Sequence, residues 1–235
     1  FGQKNWSTVN PEHANLLTII PFIMNPSLKI IWSVHNYSIS LKSISLKTLI
    51  IVIINSIISY FVPKKIIFAS KVSIDSHLRI KINRRKIVLI PNGINTEIYK
   101  PKKIFNNIKR ELGIKKRNIF AMVARFDKAK DHNNLIEAFK LLKTENNDWN
   151  LLLIGEGMEN KNITLKNLLK NAHIEDLTFC LGIRSDIEYI LNGIDFIVLS
   201  SYSEDQPIIL MEAMSCEKLC ISTDVGSANL IIDKF

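Results

Sequence analysis

The sequence is poor in the residues that mark several protein classes. Its three cysteines, Cys180, Cys216 and Cys220, are too few and too irregularly spaced for a disulfide framework, and they favour a reducing compartment. No histidine pair has metal-ligand spacing such as HExxH. The most apolar stretch, residues 49–62, is shorter than the roughly 20 residues that a membrane-spanning helix needs. Asn55, Ser56 and Ser59 also interrupt it, so we predict a buried helix there.

The ends of the chain also lack familiar features. The chain begins with Phe1 without the basic and then apolar pattern of a secretory signal, and it ends on "LIIDKF". We therefore expect a cytoplasmic protein, and we expect segments to be missing from both ends of this sequence.

Positive charge is what the chain has in excess. Lys and Arg number 31 against 22 Asp and Glu, a formal net charge of +9. Such a balance favours anionic partners, namely phosphates, nucleic acids or an anionic membrane face. Because lysine, isoleucine and asparagine recur along the whole chain, a composition bias explains much of this charge. Aromatic and basic residues are not interleaved and no zinc-finger spacing occurs, so we expect no nucleic-acid partner.

Short apolar runs alternate with helix-like segments along the chain. Near-continuous hydrophobicity is typical of strands buried on both faces, and strand–helix alternation predicts parallel sheets with crossover helices. In the segment 132–145 the apolar residues recur at helical spacing, which predicts a helix. The eight predicted strands lie at residues 28–34, 64–70, 85–91, 117–124, 149–155, 177–182, 195–200 and 218–223.

The segment "IPNGINTEIYKPKK", residues 90–103, separates two series of these runs. It is rich in turn formers, among them Pro91, Gly93 and Pro101. We therefore predict two α/β domains, residues 1–98 and 99–235.

Polar residues follow several of the predicted strands. Open parallel sheets bind ligands beyond the carboxyl ends of their strands, and His35, Arg125, Gly155 and Glu204 fall at such ends. Each also has an ordinary interpretation: a structural histidine, a solvated cation, a turn glycine, and an acid that complements a helix dipole. Their common placement favours one candidate site.

Two pairs of charged residues carry candidate chemistry in these loops. Arg125 and Lys130 precede a predicted helix, where cations and free amides together suit a diphosphate. Glu204 and Glu212 stand eight positions apart, with Pro207 suited to the first turn of a helix between them. A carboxylate can accept hydrogen bonds from the vicinal hydroxyls of a ribose. The alternatives are solvated surface cations and, for Glu212, an exposed helical acid.

The order of several motifs resembles that of the GT-B glycosyltransferases, and within them the retaining family 4, or glycosyl transferases group 1. The matching stretches are "VLIPNGINTEIYKP", "VARFDKAKDHNNLIEAF", "LLLIGEG" and "FCLGIRSDIEYILNGIDFIVLSSYSEDQPIILMEAMSCEKLCISTDVGSANLII", and they cover most of residues 86–232. "IIWSVHNYS" and "KKIIFAS" resemble the second half of the family's acceptor-side domain. The resemblance implies two Rossmann-like domains facing a cleft, with an incomplete N-terminal domain and without the last C-terminal helix.

The resemblance also implies a reaction. A hexose would pass, with retention at the anomeric carbon, from a nucleotide-diphosphate sugar to a glycan or lipid-linked acceptor in polysaccharide or glycolipid biosynthesis. No cofactor and no obligatory metal is implied.

Roles for individual residues follow from the same resemblance. Arg125 and Lys130 match the basic pair on the donor diphosphate, Glu204 the acid near the donor sugar, and Glu212 the acid on the ribose. His35 matches a histidine near the transferred sugar. The remaining residues assigned to the donor site are Gly155, Asp205, Gln206 and Ile208.

The chain departs from the family pattern in two places: directly after Glu204, and after Glu212. Asp205 and Gln206 stand where a glycine and an apolar or aromatic residue are usual, and Asp205 would repel a phosphate. Glu217 stands where the family has a glycine, a residue that readily adopts the left-handed conformation at the end of a helix. These departures leave open a catalytically impaired nucleotide-sugar-binding fragment as the alternative function.

Lysines flank the apolar stretch 49–62, at positions 42, 47, 64 and 65. A basic, apolar surface of this kind could rest on an anionic membrane leaflet. Peripheral contact with the inner face of a membrane is therefore a further hypothesis.

Overall fold

The structure is a computed structural model that describes residues 11–34, 46–102 and 107–233. The chain divides into two compact units, Phe1–Asn92 and Gly93–Phe235. This boundary lies six residues before the expected one. Ile94 and Thr96 belong to the second unit because they line a cavity together with Met211 and Met214.

The described residues form eight β-strands and ten α-helices. The strands are β1 (Ile31–Val34), β2 (Lys65–Phe68), β3 (Ile87–Leu89), β4 (Asn118–Val123), β5 (Trp149–Ile154), β6 (Thr178–Gly182), β7 (Phe196–Leu199) and β8 (Leu219–Ser222). The helices are α1 (Pro11–Leu17), α2 (Ile19–Met24), α3 (Leu46–Ile58), α4 (Lys71–Arg79), α5 (Asn107–Glu111), α6 (His132–Glu145), α7 (Ile163–Asn171), α8 (Ile187–Gly193), α9 (Ile208–Ser215) and α10 (Ala228–Ile232). All eight predicted strands are confirmed, each within the run that predicted it.

The first unit contains a three-stranded parallel sheet in the order β1-β2-β3. Its core includes Trp32, Ile66 and Phe68, which are almost completely buried. Helix α4 follows β2 directly, and the Ser70 side chain caps it by accepting a hydrogen bond from the backbone N–H of Ser73.

The second unit contains a five-stranded parallel sheet in the order β6-β5-β4-β7-β8. Every residue of β5 is buried, as expected for a strand covered on both faces. The chain runs outward from β4 through β5 to β6 and then returns to place β7 on the other side of β4. The strand order therefore reverses between β4 and β7, where ligands of open α/β sheets bind.

Helix α6 has the bounds that the sequence predicts. Its apolar side chains Leu135, Ile136 and Phe139 are buried against the sheet, and Asp131 caps its first turn by accepting from Asn134 N at 3.2 Å. Helix α6 thus starts directly after the loop that carries Arg125 and Lys130.

Helix α3 corrects a prediction, because the apolar stretch does form a helix but the helix is not buried. Ser56 faces inward, where its Oγ donates to the carbonyl of Ile80 at 2.5 Å, while Ile50, Ile53 and Ile57 are 46–59% exposed. Both sides of this helix carry apolar residues, so the sequence pattern alone did not select the buried side. None of the helices in the described ranges is long and apolar enough to cross a membrane.

The end of helix α9 shows the consequence of the missing glycine. The N–H of Glu217 donates to Met214 O at 2.9 Å and that of Lys218 to Ala213 O at 2.9 Å, the two bonds of a Schellman motif. Glu217 adopts φ +59°, in the left-handed region that favours glycine.

Candidate functional site

A lysine and a glutamate meet where the strand order reverses. Lys130 lies at the end of the loop after β4, in a short 3₁₀ turn that Asp127 caps by accepting from Ala129 N at 2.8 Å. Its Nζ donates to Glu204 Oε1 at 2.5 Å, and Ser201 Oγ donates to the same oxygen at 2.6 Å. The side chains of Lys130 and Glu204 are only 16% and 8% exposed. The pair therefore forms a charge-assisted contact largely shielded from water.

The loops that carry this pair are tied to each other. Ser200 Oγ donates to the carbonyls of Lys130 and Asp131, at 2.9 and 3.1 Å, and the N–H of Tyr202 donates to Ala129 O at 3.0 Å. Because these bonds join the loop after β4 to the loop after β7, Lys130 and Glu204 are held in place before any ligand arrives.

A third loop, which follows β8, packs against the backbone of Glu204. Gly226 has φ +57°, and a Cβ built on it would lie 2.0 Å from Glu204 O. The next residue, Ser227, donates its N–H to Asp205 O at 2.9 Å. Glu204 and Asp205 are 7% and 8% exposed. Only a residue without a side chain lets the two backbones approach this closely.

Gly155 likewise allows two backbone segments to approach closely, here beside β4. It has φ +134°, a Cβ on it would lie 2.2 Å from Ala124 O, and its N–H donates to Gly182 O at 2.7 Å. The backbone that approaches Gly155 is therefore the chain's own, which agrees with the turn interpretation of this glycine.

Arg125 stands at the start of the same loop as Lys130. Its side chain is exposed, and it makes no ion pair with any residue that the structure describes. The charge of Lys130 is balanced by Glu204, whereas that of Arg125 is available to an anion at this edge of the sheet.

Glu212 is not joined to the Lys130–Glu204 pair. It is half-buried on helix α9, and its carboxylate lies near the hydroxyl of Tyr99. Burial raises the pKa of Glu212, and the nearby Tyr99 hydroxyl opposes that shift. Sequence reasoning missed Tyr99, although it lies within the quoted motif "IPNGINTEIYKPKK".

The remaining predicted residues fall on or near helix α9, with one exception. Ile208 opens the helix and is 41% exposed, and the Nε2 of Gln206 lies 3.7 Å from Met211 Sδ. His35 is outside the described residues.

His132, at the start of α6, is a buried group that sequence reasoning also missed. It is 4% exposed, its ring centroid lies 4.9 Å from that of Phe126, and its Nε2 has no hydrogen-bond partner among the described residues. Burial lowers the pKa of His132 to about 4, against a smaller opposing effect of the Asp127 backbone. The imidazole is therefore neutral at pH 7, two residues after Lys130 in the chain.

Residues 104–235 match the family described as glycosyl transferases group 1. The chain belongs to this family. It is 33% identical over 159 residues to the N-acetyl-alpha-D-glucosaminyl L-malate synthase of Bacillus anthracis, covering 67% of this chain and 40% of that protein. It is 31% identical over 156 residues to the UDP-Gal:alpha-D-GlcNAc-diphosphoundecaprenol alpha-1,3-galactosyltransferase of Escherichia coli. That match covers 64% of this chain and 40% of the relative. The chain thus spans about 40% of the length of these curated relatives.

Solved structures agree with the fold of this group 1 chain. Anabaena Alr3699/HepE in complex with UDP and glucose superposes with a TM-score of 0.81 at 18% identity, over 92% of this chain and 58% of that one. Sucrose-phosphate synthase from Thermosynechococcus elongatus superposes with a TM-score of 0.73 at 17% identity, over 92% of this chain and 56% of that one. The α/β class with parallel sheets, expected for a GT-B protein, is confirmed.

Proposed function

We propose that this group 1 chain is part of a retaining hexosyltransferase that moves a sugar from a nucleotide-diphosphate sugar to a glycan or lipid-linked acceptor. The observation that carries the proposal is the shielded Lys130–Glu204 pair at the reversal of strand order, with exposed Arg125 in the same loop. Relatives named for transfer of N-acetylglucosamine to L-malate, and of galactose to a diphosphoundecaprenol-linked sugar, support the reaction class.

The chemistry follows from where charge develops. When the bond between the anomeric carbon and the donor diphosphate breaks, negative charge grows on the leaving diphosphate. Cations fixed before the reaction stabilise that charge without having to reorganise. In this proposal Lys130 and Arg125 contact the diphosphate, and no metal or cofactor is required.

Retention is proposed to follow a front-face route rather than a covalent one. A covalent route needs a carboxylate that is free to attack the anomeric carbon. Oε1 of Glu204 already accepts hydrogen bonds from Lys130 and Ser201, which weakens it as a nucleophile. Glu204 instead fixes the ammonium of Lys130 beside the donor, and Glu212 binds the ribose.

A binding and transfer experiment tests this assignment. Thermal shifts with UDP, GDP and ADP, and then with their sugars, identify the donor, because a ligand of the folded state raises its stability. Lys130→Ala should then lose transfer at least a hundredfold, since Lys130 faces the developing charge. Lys128→Ala removes an exposed lysine of the same loop and should transfer normally. Near-normal turnover by Lys130→Ala would refute the assignment, and transfer that stops in EDTA would refute metal independence.

The alternative is a catalytically impaired protein that binds the donor without transferring its sugar. The buried carboxylate of Asp205 beside Glu204 favours it, because a second negative charge next to the diphosphate site opposes the anion. Release of nucleotide and formation of a glycosylated product distinguish the two functions. A donor that binds with no product from any acceptor tested would support the alternative.

We also propose that the first unit makes peripheral contact with the inner face of a membrane. Ile53 and Ile57 on α3 are exposed, and so are Lys47 in its first turn and Lys64 and Lys65, which follow it in sequence. Exposed apolar side chains and lysines together suit an anionic leaflet. Co-sedimentation with phosphatidylglycerol vesicles at low salt should therefore fall in an Ile53→Ser/Ile57→Ser variant. Equal sedimentation of that variant, or none of the unmutated protein, contradicts the contact.

A further inference from the structure

Ser201, which follows β7, is held from two sides by neighbouring loops. It is completely buried, and its carbonyl accepts a hydrogen bond from Thr223 Oγ1 in the loop after β8. The next residue, Tyr202, donates its N–H to Ala129 O at 3.0 Å, in the loop after β4. The backbone of Ser201 is therefore fixed, and its hydroxyl can move only by rotation of a short side chain.

The Ser201 hydroxyl and the Lys130 ammonium bind the same carboxylate oxygen. Ser201 Oγ donates to Glu204 Oε1 at 2.6 Å, and Lys130 Nζ donates to it at 2.5 Å. Hydroxyls bonded to an ionised carboxylate typically lie at about 2.5–2.7 Å from it, and such bonds are stronger than neutral ones. Oε1 is therefore held by two strong donors in a site that is largely shielded from water.

The two donors differ in how far they can move. Lys130 carries its ammonium on a flexible four-carbon stem, and the side chain of Glu204 is flexible as well, so a pair of these two alone could shift together. The hydroxyl of Ser201 lies close to a fixed backbone. The serine thus sets the position of Oε1, and Oε1 sets the position of the ammonium.

The ammonium of Lys130 keeps donors for a ligand. An ammonium has three N–H donors, and Glu204 accepts from it in this structure. No other acceptor for Nζ lies among the residues that the structure describes, and the Lys130 side chain is still 16% exposed. The remaining donors can reach the oxygens of a diphosphate when Glu204 keeps the ammonium in one place.

We propose that Ser201 is a positioning residue, whose hydroxyl fixes the Glu204 carboxylate and thereby aims the Lys130 ammonium at the diphosphate of the donor. This inference rests on the proposed function, in which Lys130 contacts the diphosphate. It adds a completely buried residue that touches no substrate and acts through Glu204 alone.

The test measures how strongly the protein prefers a nucleoside diphosphate to the corresponding monophosphate. UDP, GDP and ADP, and then UMP, GMP and AMP, are titrated calorimetrically into the full chain. Ser201→Ala removes only the hydroxyl and leaves both charged residues in place. The preference for the diphosphate should fall about fivefold, less than the full effect of a hydrogen bond to a charged group, because the ligand is affected only through Lys130.

Ser215→Ala is the matched control. The hydroxyl of Ser215 donates to Tyr99 O at 2.5 Å and bonds neither Lys130 nor Glu204. This variant should therefore keep the preference of the unmutated protein. An equal fall in Ser201→Ala and Ser215→Ala would overturn the positioning role, because loss of a remote hydroxyl would then have the same effect.

A triple variant distinguishes action through the ion pair from a general structural effect. In Lys130→Met/Glu204→Gln both charges are absent, so the preference should already be reduced. Adding Ser201→Ala to this background should have no further effect, because the ammonium on which it acts is gone. A further fivefold fall would show that Ser201 supports the site by another route, and the inference would be wrong.

The remaining outcomes separate this inference from the proposed function. If Lys130→Met/Glu204→Gln reduces the preference and Ser201→Ala leaves it unchanged, the positioning role is wrong and the proposed function stands. If Lys130→Met/Glu204→Gln keeps the full preference, Lys130 does not contact the diphosphate, and the inference about Ser201 is overturned with that assignment. If none of the three nucleoside diphosphates binds, the proposed function and this inference both fail.

Discussion

Nζ of Lys130 lies 2.5 Å from Oε1 of Glu204, and both side chains are more than four-fifths buried. The two residues are 74 positions apart in the chain and meet because β4 and β7 are neighbours in the sheet. A shielded ion pair depends on both members, since removal of one leaves a charge that is neither hydrated nor balanced.

Loss of Lys130 should therefore destabilise the protein as well as inactivate it. We expect Lys130→Ala to lower the free energy of unfolding by about 3–5 kcal/mol, as for other broken buried pairs. The double variant Lys130→Met/Glu204→Gln should recover most of that loss because no unpaired charge remains, while transfer stays absent. Urea unfolding measures the free energies of unfolding of both variants. A Lys130→Ala protein as stable as its Lys128→Ala control would show that the pair is well hydrated in solution.

Gly226→Ala should disturb the site without touching any of its charges. The new methyl group would lie 2.0 Å from Glu204 O, so the loop that carries Glu204 and Asp205 must shift. We expect nucleotide affinity to fall about tenfold or more and stability to fall by about 1–3 kcal/mol, from strain and positive φ together. Gly93→Ala is the control, since no atom lies within 4 Å of its added methyl group. Equal affinities of the two variants would contradict the close approach at Gly226.

His132 should make stability depend on pH below neutrality. Its folded-state pKa of about 4 lies below the ordinary value of 6.5, so the unfolded chain binds the proton more readily. The stabilising contribution is complete above about pH 6.5 and is lost as the pH falls toward 4. Between pH 7 and 4.5 it should fall by about 2–3 kcal/mol, at about 1.4 kcal/mol per pH unit.

The variant His132→Gln isolates that contribution from the carboxylates that also titrate in this range. Its stability should fall less between the same two pH values. The difference between the two proteins is the contribution of His132 protonation to stability. Parallel pH profiles would mean that His132 is hydrated or charged in the folded state.

Glu217→Gly should stabilise the end of helix α9. Glu217 adopts φ +59°, which strains a residue with a side chain but not glycine. The gain should be about 0.5–1 kcal/mol, because the greater freedom of glycine in the unfolded chain offsets part of the relief. Glu217→Ala keeps the strain and removes the charge, so it should bring no gain. If both variants gain equally, repulsion by the Glu217 carboxylate, and not backbone strain, is the cause.

The sequence predicted the strands and helix α6 well because each is encoded locally. The run 149–155 is apolar without interruption, and β5 is buried at every position. Residues 132–145 repeat apolar side chains at helical spacing between a capping aspartate and a polar end, and the helix has these bounds. Helix α3 shows the limit of this reasoning, because an apolar pattern around the whole helix does not specify which side is buried.

The candidate site could be located from sequence but not assembled. Placement after parallel strands was enough to bring Lys130 and Glu204 to one edge of a sheet. Nothing in the pattern indicated that Lys130 and Glu204 share a hydrogen bond, or that the His132 ring is buried with a nitrogen that has no partner among the described residues.

By itself the sequence determined the alternation of strands and helices, the strand ends at which charged residues emerge, and the family to which the motifs belong. These depend on neighbours within a few positions, where side-chain spacing and turn residues act directly on the backbone. Only the tertiary structure decided which carboxylate faces Lys130 and which groups are shielded from water. Those relationships join positions far apart in the chain, and they depend on the order of strands in the sheet and on the packing of the loops beyond it.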